Sequence, residues 1–150
     1  MSSQPKPSLP GGPVTTYRQM HFNRLGRSGL KVSDIGLGTW KFGYPETGDG
    51  SRADEKTALA ILDKAAELGV VFWDTADRYN FGTGNSERII GKWLKANPNE
   101  RTNIVLATKC RWIMNGQTPN HEGLSRRHII DAVHHSLRRL QQDYIDLLQF

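Results

Sequence analysis

At 150 residues and 37% hydrophobic content the chain is sized for one compact domain, and no stretch approaches the length of a membrane span, so membrane insertion is not expected. The net charge of +5, from 20 basic and 15 acidic residues, does not favour a nucleic-acid partner: Arg126, Arg127, Arg138 and Arg139 face only Asp131 across residues 125–142, the pattern of a solvated helix face, without interleaved aromatics or a reader motif. A single cysteine, Cys110, excludes an internal disulfide, and no His/Cys cluster has zinc-site spacing, so a reducing, cytoplasmic setting and no metal centre are expected.

In chain order, residues 1–20 hold four of the seven prolines together with Gly11 and Gly12, and they lack an apolar core or a basic-apolar periodicity that would mark a targeting peptide. They read as a disordered tail, leaving 21–150 as the folded unit. His21–Leu25 and Leu30–Val32 flank the turn-forming Gly26-Arg27-Ser28-Gly29 and predict a β-hairpin. Ile35–Gly38 is a short apolar strand ending at Thr39-Trp40. Residues 54–68 carry Ala58, Ile61, Leu62, Ala65 and Leu68 on one helical face and stop at Gly69. Val70–Asp74 is the next strand, followed by a helix over Ser86–Lys95 with Asn85 or Ser86 as its cap and Ile89, Ile90, Trp93 and Leu94 as its stripe. Asn103–Lys109 reads as a buried strand. Ser125 caps a helix with Ile129, Ile130, Val133, Leu137 and Leu140 inward, Leu124 and Ile129 having the spacing of a hydrophobic staple, and Tyr144–Phe150 is a last strand.

The order βαβαβαβ after a hairpin calls for right-handed crossovers and a parallel sheet. Two α/β architectures compete, a doubly wound nucleotide-binding sheet and a (β/α)8 barrel. The former needs Gly-x-Gly-x-x-Gly after the first strand. Gly36-Leu37-Gly38 starts correctly but has Lys41 in the last position, and Gly82-Thr83-Gly84 has Glu87 there and follows no strand. The barrel is therefore preferred, and four strands make its N-terminal half, ending after the fourth barrel strand.

Barrel enzymes keep their reactive groups at the C-terminal ends of strands. Those positions hold Thr39-Trp40, Asp74 and Lys109, with Tyr79 five residues past Asp74, and no candidate at the end of the fourth strand. A tyrosine is a poor acid near neutrality, with a pKa of ~10, but a neighbouring ammonium favours its phenolate, and a carboxylate would keep that ammonium charged and in place. Such a trio suits carbonyl reduction, in which the oxygen takes a proton as hydride reaches the carbon. Each residue also has a plain structural reading: Asp74 as a turn cap, Tyr79 as a rim aromatic, Lys109 as a solvated strand end. Cys110 reads as a small apolar filler, Trp40 as a pocket wall, and Trp112 equally as wall or core. His121, His128, His134 and His135 read as surface or helix residues without metal-ligand partners.

Phe72-Trp73-Asp74-Thr75-Ala76-Asp77-Arg78-Tyr79 resembles the Asp-Thr-Ala-x-x-Tyr signature of the aldo-keto reductases, and Ala107-Thr108-Lys109 resembles their lysine strand. Ile35–Trp40 is similar to their first barrel strand, and Tyr144–Phe150 to the strand that precedes their catalytic histidine; the similarity spans residues 22–150. The resemblance implies a TIM barrel, NADPH as cofactor and a small-molecule carbonyl substrate. Tyr79 would be the proton donor, Lys109 its activator and Asp74 the partner of Lys109, while Gly38, Thr39, Trp40 and Asp74 would border the nicotinamide. The family's histidine would fall just past Phe150 and its 2′-phosphate site in the other half of the barrel, so the chain by itself is expected to be an inactive fragment. Gly123–Ile130 and Leu25–Val32 also resemble the branch that includes potassium channel β subunits, which implies, as the alternative, a cofactor-sensing subunit with a channel-type partner.

Overall fold

The computed structural model describes residues 14–44, 52–114 and 116–150. Three short antiparallel strands open it: β1 (Thr16–Tyr17), β2 (Met20–Arg24) and β3 (Lys31–Ser33). Four parallel strands follow, β4 (Gly36–Gly38), β5 (Phe72–Asp74), β6 (Val105–Lys109) and β7 (Leu147–Gln149), and they lie side by side in chain order. That sequential order is the one a βα barrel uses, whereas a doubly wound sheet reverses direction after its first strand. Helices α1 (Glu55–Leu68), α2 (Asn85–Ala96) and α3 (Arg126–Leu140) make the crossovers. Among the described residues no helix is long and apolar enough to cross a membrane, and no group of three or more His, Cys, Asp or Glu side chains is arranged to hold a metal ion.

The hairpin forms as its turn residues predict, with Phe22 opposite Ser33 and Arg24 opposite Lys31. The expected tail needs correction at its boundary. Residues 1–13 lie outside the described ones, but Thr16 and Tyr17 pair with His21 and Met20, and Tyr17 packs edge-on against Phe22 with ring centres 6.5 Å apart. Arg18 reaches the Ala66 carbonyl at the end of α1 and pairs with Glu100 at 2.6 Å. Proline and glycine upstream drew the boundary too far into the chain; pairing with β2 and this arginine give positions 14–20 their structure.

The core lies between the parallel sheet and its helices. Leu62 of α1, Ile90 and Leu94 of α2, and Trp73 and Leu106 of the strands are at most 1% exposed. Trp73 meets Trp93 edge-on at 4.9 Å, a geometry worth ~0.5–1.5 kcal/mol beyond the area it buries. Asp54 caps α1 by accepting from the Thr57 amide at 2.7 Å, and Gly69 ends it in the left-handed conformation. The expected cap of α2 is different: Gly84 occupies that position without a side-chain bond, while Asn85 and Ser86 donate to the carbonyls of Gly43 and Phe42. Residues 98–103 form a 3-10 turn, so the third parallel strand starts at Val105 rather than at Asn103. Arg101 of that turn pairs with Asp146 at 2.9 Å, and Asp146 also accepts from the Leu106 amide, which sets the approach to β7.

Helix α3 departs furthest from expectation. Ser125 caps it as predicted, accepting from the His128 amide, but Leu124 is exposed and Ile130 is partly so, while His128, Ala132, Ser136, Arg139 and Leu140 are buried. The helix has turned a small, polar face toward α2. A Cβ on Gly91 of α2 would stand 2.5 Å from the Arg139 carbonyl oxygen, so the two backbones are nearly in contact there. Arg139 then reaches across to Glu87, which is fully buried: Nε lies 2.6 Å from Oε2, and Glu87 also accepts from Thr108 Oγ1 at 2.7 Å. A buried carboxylate with neither partner would be strongly destabilising, so the ion pair dictates which face of α3 turns inward. Beside it, Asp77 is 2% exposed, and Asp77 Oδ2 and His128 Nε2 have no hydrogen-bond partner among the described residues. His128 is thus a buried helix residue and not a surface one. Burial, reinforced by the charge of Glu87 and opposed by Arg139, raises the Asp77 carboxyl from 3.8 to about 6.

Two outcomes follow for stability. Gly91→Val places two methyl groups against the α3 backbone and is expected to cost about 3 kcal/mol, read from urea unfolding; an unchanged midpoint would mean the helices do not approach this closely. For Asp77, the folded state holds a proton that the unfolded state has already released between pH 3.8 and about 6, so stability falls as pH rises through that window. The full effect is about 3 kcal/mol, and Asp77→Asn is expected to remove this slope; parallel pH–stability curves for parent and variant would contradict it.

Candidate active site

Parallel register brings the polar strand ends to one side of the sheet. Gly38 lies opposite Asp74, Asp74 opposite Ala107, and Lys109 opposite Gln149. Side chains alternate across a strand, so with Leu106 and Thr108 turned toward the helices, Lys109 projects from the other face, where Asp74 stands. Lys109 Nζ lies 2.7 and 2.6 Å from the two Asp74 oxygens, 3.0 Å from the Thr75 carbonyl and 3.0 Å from Tyr79 Oη. The three residues singled out for chemistry therefore meet in one cluster.

The hydrogen-bond count matters here. An ammonium has three protons and here faces four acceptors, so the carboxylate oxygens share one or the bonds alternate. Tyr79 Oη sits 3.5 Å from Asp74 Oδ2, at the outer limit of a hydrogen bond, and is closer to the ammonium at 3.0 Å. Its oxygen accepts from Lys109, which leaves the phenol hydrogen available to a third party. About a third of the side-chain surface of Lys109 and of Asp74 remains accessible, so the pair is open to small molecules.

The first strand end is tied to the second. Thr39 is fully buried, and its amide and Oγ1 both donate to the Asp74 carbonyl, at 2.9 and 3.0 Å. Thr39 therefore acts through the backbone of Asp74 and offers nothing to the open side. Gly38 is exposed with free space where a Cβ would be, and the Trp40 indole is 56% exposed with the Lys41 ammonium 4.3 Å from its ring centre. Around Tyr79 and Lys109 opens a cleft of about 530 Å³, walled by aromatics that include Trp40, Tyr44, Phe81 and Trp112. Trp112 is 54% exposed and is a wall of this cleft rather than core. Cys110 lines it too but is 2% exposed, and burial, then the charge of Asp77, raises its thiol, so it behaves as the apolar filler expected.

Two members of the site were not anticipated. Gln149 donates to Asp74 Oδ1 at 2.6 Å, occupying the fourth strand end that had no candidate. The signal was a polar residue closing an apolar run, Leu147-Leu148-Gln149. Glu87 is the other: through Thr108 it holds the residue just before Lys109, and its place in the α2 stripe, among apolar neighbours, marked it.

Comparison with known proteins identifies the family. A sequence model of the Aldo/keto reductase family matches residues 34–150. The chain is 38% identical over 129 residues to a probable voltage-gated potassium channel subunit beta of Oryza sativa subsp. japonica, covering 86% of this chain and 36% of that protein. It is 40% identical over 146 residues to versiconal hemiacetal acetate reductase of Aspergillus parasiticus, covering 87% and 41%. Among solved structures, the holo form of an aldo-keto reductase from Bacillus halodurans superposes with a TM-score of 0.65 at 39% identity, covering 87% of this chain and 39% of that one. The chain thus spans about two fifths of the length of the relatives it matches. A family match over more than three quarters of the chain, joined to the Asp74–Tyr79–Lys109 cluster at the strand ends, makes it a member of the aldo/keto reductase family.

Proposed function

We propose that the cleft is the carbonyl site of an NADPH-dependent aldo-keto reductase acting on small-molecule aldehydes or ketones, with Tyr79 as proton donor. The observation that carries this reading is Lys109 donating to Tyr79 Oη at 3.0 Å while Asp74 holds the ammonium through both carboxylate oxygens. In the proposed mechanism the phenol gives its proton to the carbonyl oxygen, and the phenolate left behind faces an ammonium already in place. Asp74 keeps Lys109 charged and fixed, and Gln149 in turn fixes Asp74. NADPH is proposed from the family resemblance, and when bound it supplies hydride to the carbonyl carbon. Open space above Gly38 and the exposed face of Trp40 suit a flat ring at this strand end, with Thr39 and Asp74 shaping the backbone beneath it. Four strands wall the cleft from one side, so the 150-residue chain alone is expected to be inactive.

A second reading rests on relatives in rice and Arabidopsis thaliana named as probable voltage-gated potassium channel β subunits, at 38% and 39% identity. In that reading the site senses cofactor and the chain acts through a channel-type partner. Association with a channel without aldehyde turnover would select it.

Two substitutions made in a complete barrel test the reductase reading, with NADPH oxidation in the presence of a reactive aldehyde as the assay. Tyr79→Phe is expected to bring reduction to background, a loss of about 10²–10³, while nicotinamide affinity from fluorescence titration stays within about twofold. Parent-like turnover by this variant would remove Tyr79 from its role. Lys109→Met is expected to be comparably damaging, because the phenol loses the ammonium that donates to its oxygen; an unaltered rate would make Lys109 a solvated strand end.

A further inference from the structure

Just past the ends of two strands, the cleft carries two further cations, Arg78 and Arg111. The Arg78 guanidinium carbon lies 5.7 Å from the centre of the Trp112 indole and that of Arg111 lies 5.5 Å from it, so two cations flank one exposed aromatic. Neither arginine has an ion-pair partner among the described residues; Arg78 donates to the Ile113 carbonyl at 3.0 Å, and Arg111 is exposed. The carboxylates nearby are committed elsewhere. Asp74 is neutralised by Lys109, and Asp77, though part of the lining, is 2% exposed with the charges of Arg139 and Arg78 acting on it. Among the described lining residues Arg78 and Arg111 are the cations left without an ion-pair partner, and Lys41 lies over Trp40.

We infer that the cleft selects planar aromatic carbonyl compounds bearing a carboxylate remote from the carbonyl, the ring lying among Trp40, Phe81 and Trp112 and the carboxylate meeting Arg78 and Arg111. This deepens the reading of the cleft as a carbonyl site and depends on it. The aromatic walls offer ring faces and edges to a flat body. An arginine whose guanidinium already stacks on an indole loses little further freedom when it binds a carboxylate, so it discriminates better than a free side chain of equal charge. Arg78 and Arg111 are then specificity-determining residues, distinct from the Asp74–Tyr79–Lys109 cluster.

The test uses binding, so that it does not depend on turnover. Affinities of the 150-residue chain for 4-carboxybenzaldehyde and 4-methylbenzaldehyde, nearly equal in size and differing in charge, are measured by ligand-observed NMR at low salt. Each partly exposed charge pair contributes a few-fold, so the anionic aldehyde is expected to bind about tenfold more tightly, with the preference shrinking as salt is raised. Arg111→Gln lies on the surface, where the fold is not at risk, and is expected to lower the preference several-fold; with Arg78→Gln added, the two affinities come within about twofold of each other. Trp112→Ala is expected to weaken both ligands. Equal affinities in the parent chain, or a preference that survives in the double variant, overturns the inference. A charge preference that persists while Tyr79→Phe leaves reduction by a complete barrel unchanged sustains the anionic subsite while sinking the reductase reading, so the two failures are separable.

Discussion

The contact on which this structure's site depends is the ion pair between Lys109 and Asp74, formed across two neighbouring parallel strands. Both residues are about a third exposed, so solvent screens the pair and its contribution to stability is small. Its importance is geometric. It fixes an ammonium 3.0 Å from a phenol oxygen, and it exists only because β5 and β6 pair in a register that ends both at the same edge of the sheet. A one-residue slip would turn Lys109 to the helix side and Thr108 to the open side, abolishing the cluster.

That register is protected from behind. Thr108, one position before Lys109, is fully buried and bonded to Glu87, which is held in turn by Arg139 of α3. Gly84 adopts a φ of +70°, and a Cβ there would fall 2.4 Å from Arg139 Cδ, so the arginine lies directly against the end of the loop that carries Tyr79. One buried cation therefore touches the strand of Lys109 through Glu87 and the loop of Tyr79 through Gly84. Replacing such a pair with apolar residues need not destabilise a protein, so its place here is better explained by the fixed geometry it imposes on two elements than by energy.

The two faces of the sheet divide the work. Trp73, Leu106 and Thr108 point into the helix layer, where Trp73 meets Trp93 edge-on and the core is closed. Asp74 and Lys109 point into a cleft whose walls are large aromatics left more than half exposed at Trp40 and Trp112.

Much of this was readable from residues alone, where local physics decides the outcome. The hairpin follows from its turn tetrad, α1 from its apolar spacing and from Asp54 and Gly69 at its ends, and the meeting of Asp74, Tyr79 and Lys109 from their places at strand ends. Parallel pairing and the family resemblance rest on the same short runs. What the residues alone could not decide was settled by contacts between distant segments. The inward face of α3 was read only in part: Leu140 is fully buried and Ile129, Val133 and Leu137 are half-buried, but Ile130 is exposed, and a buried carboxylate on α2 and the close approach at Gly91 bring Arg139, Ser136 and Ala132 inward. Residues 14–20 were placed in a tail because their partners, His21, Ala66 and Glu100, become neighbours only on folding. Gln149 stayed invisible for the same reason: an amide at the end of an apolar strand has a role only once parallel register sets it opposite Lys109 and within 2.6 Å of Asp74.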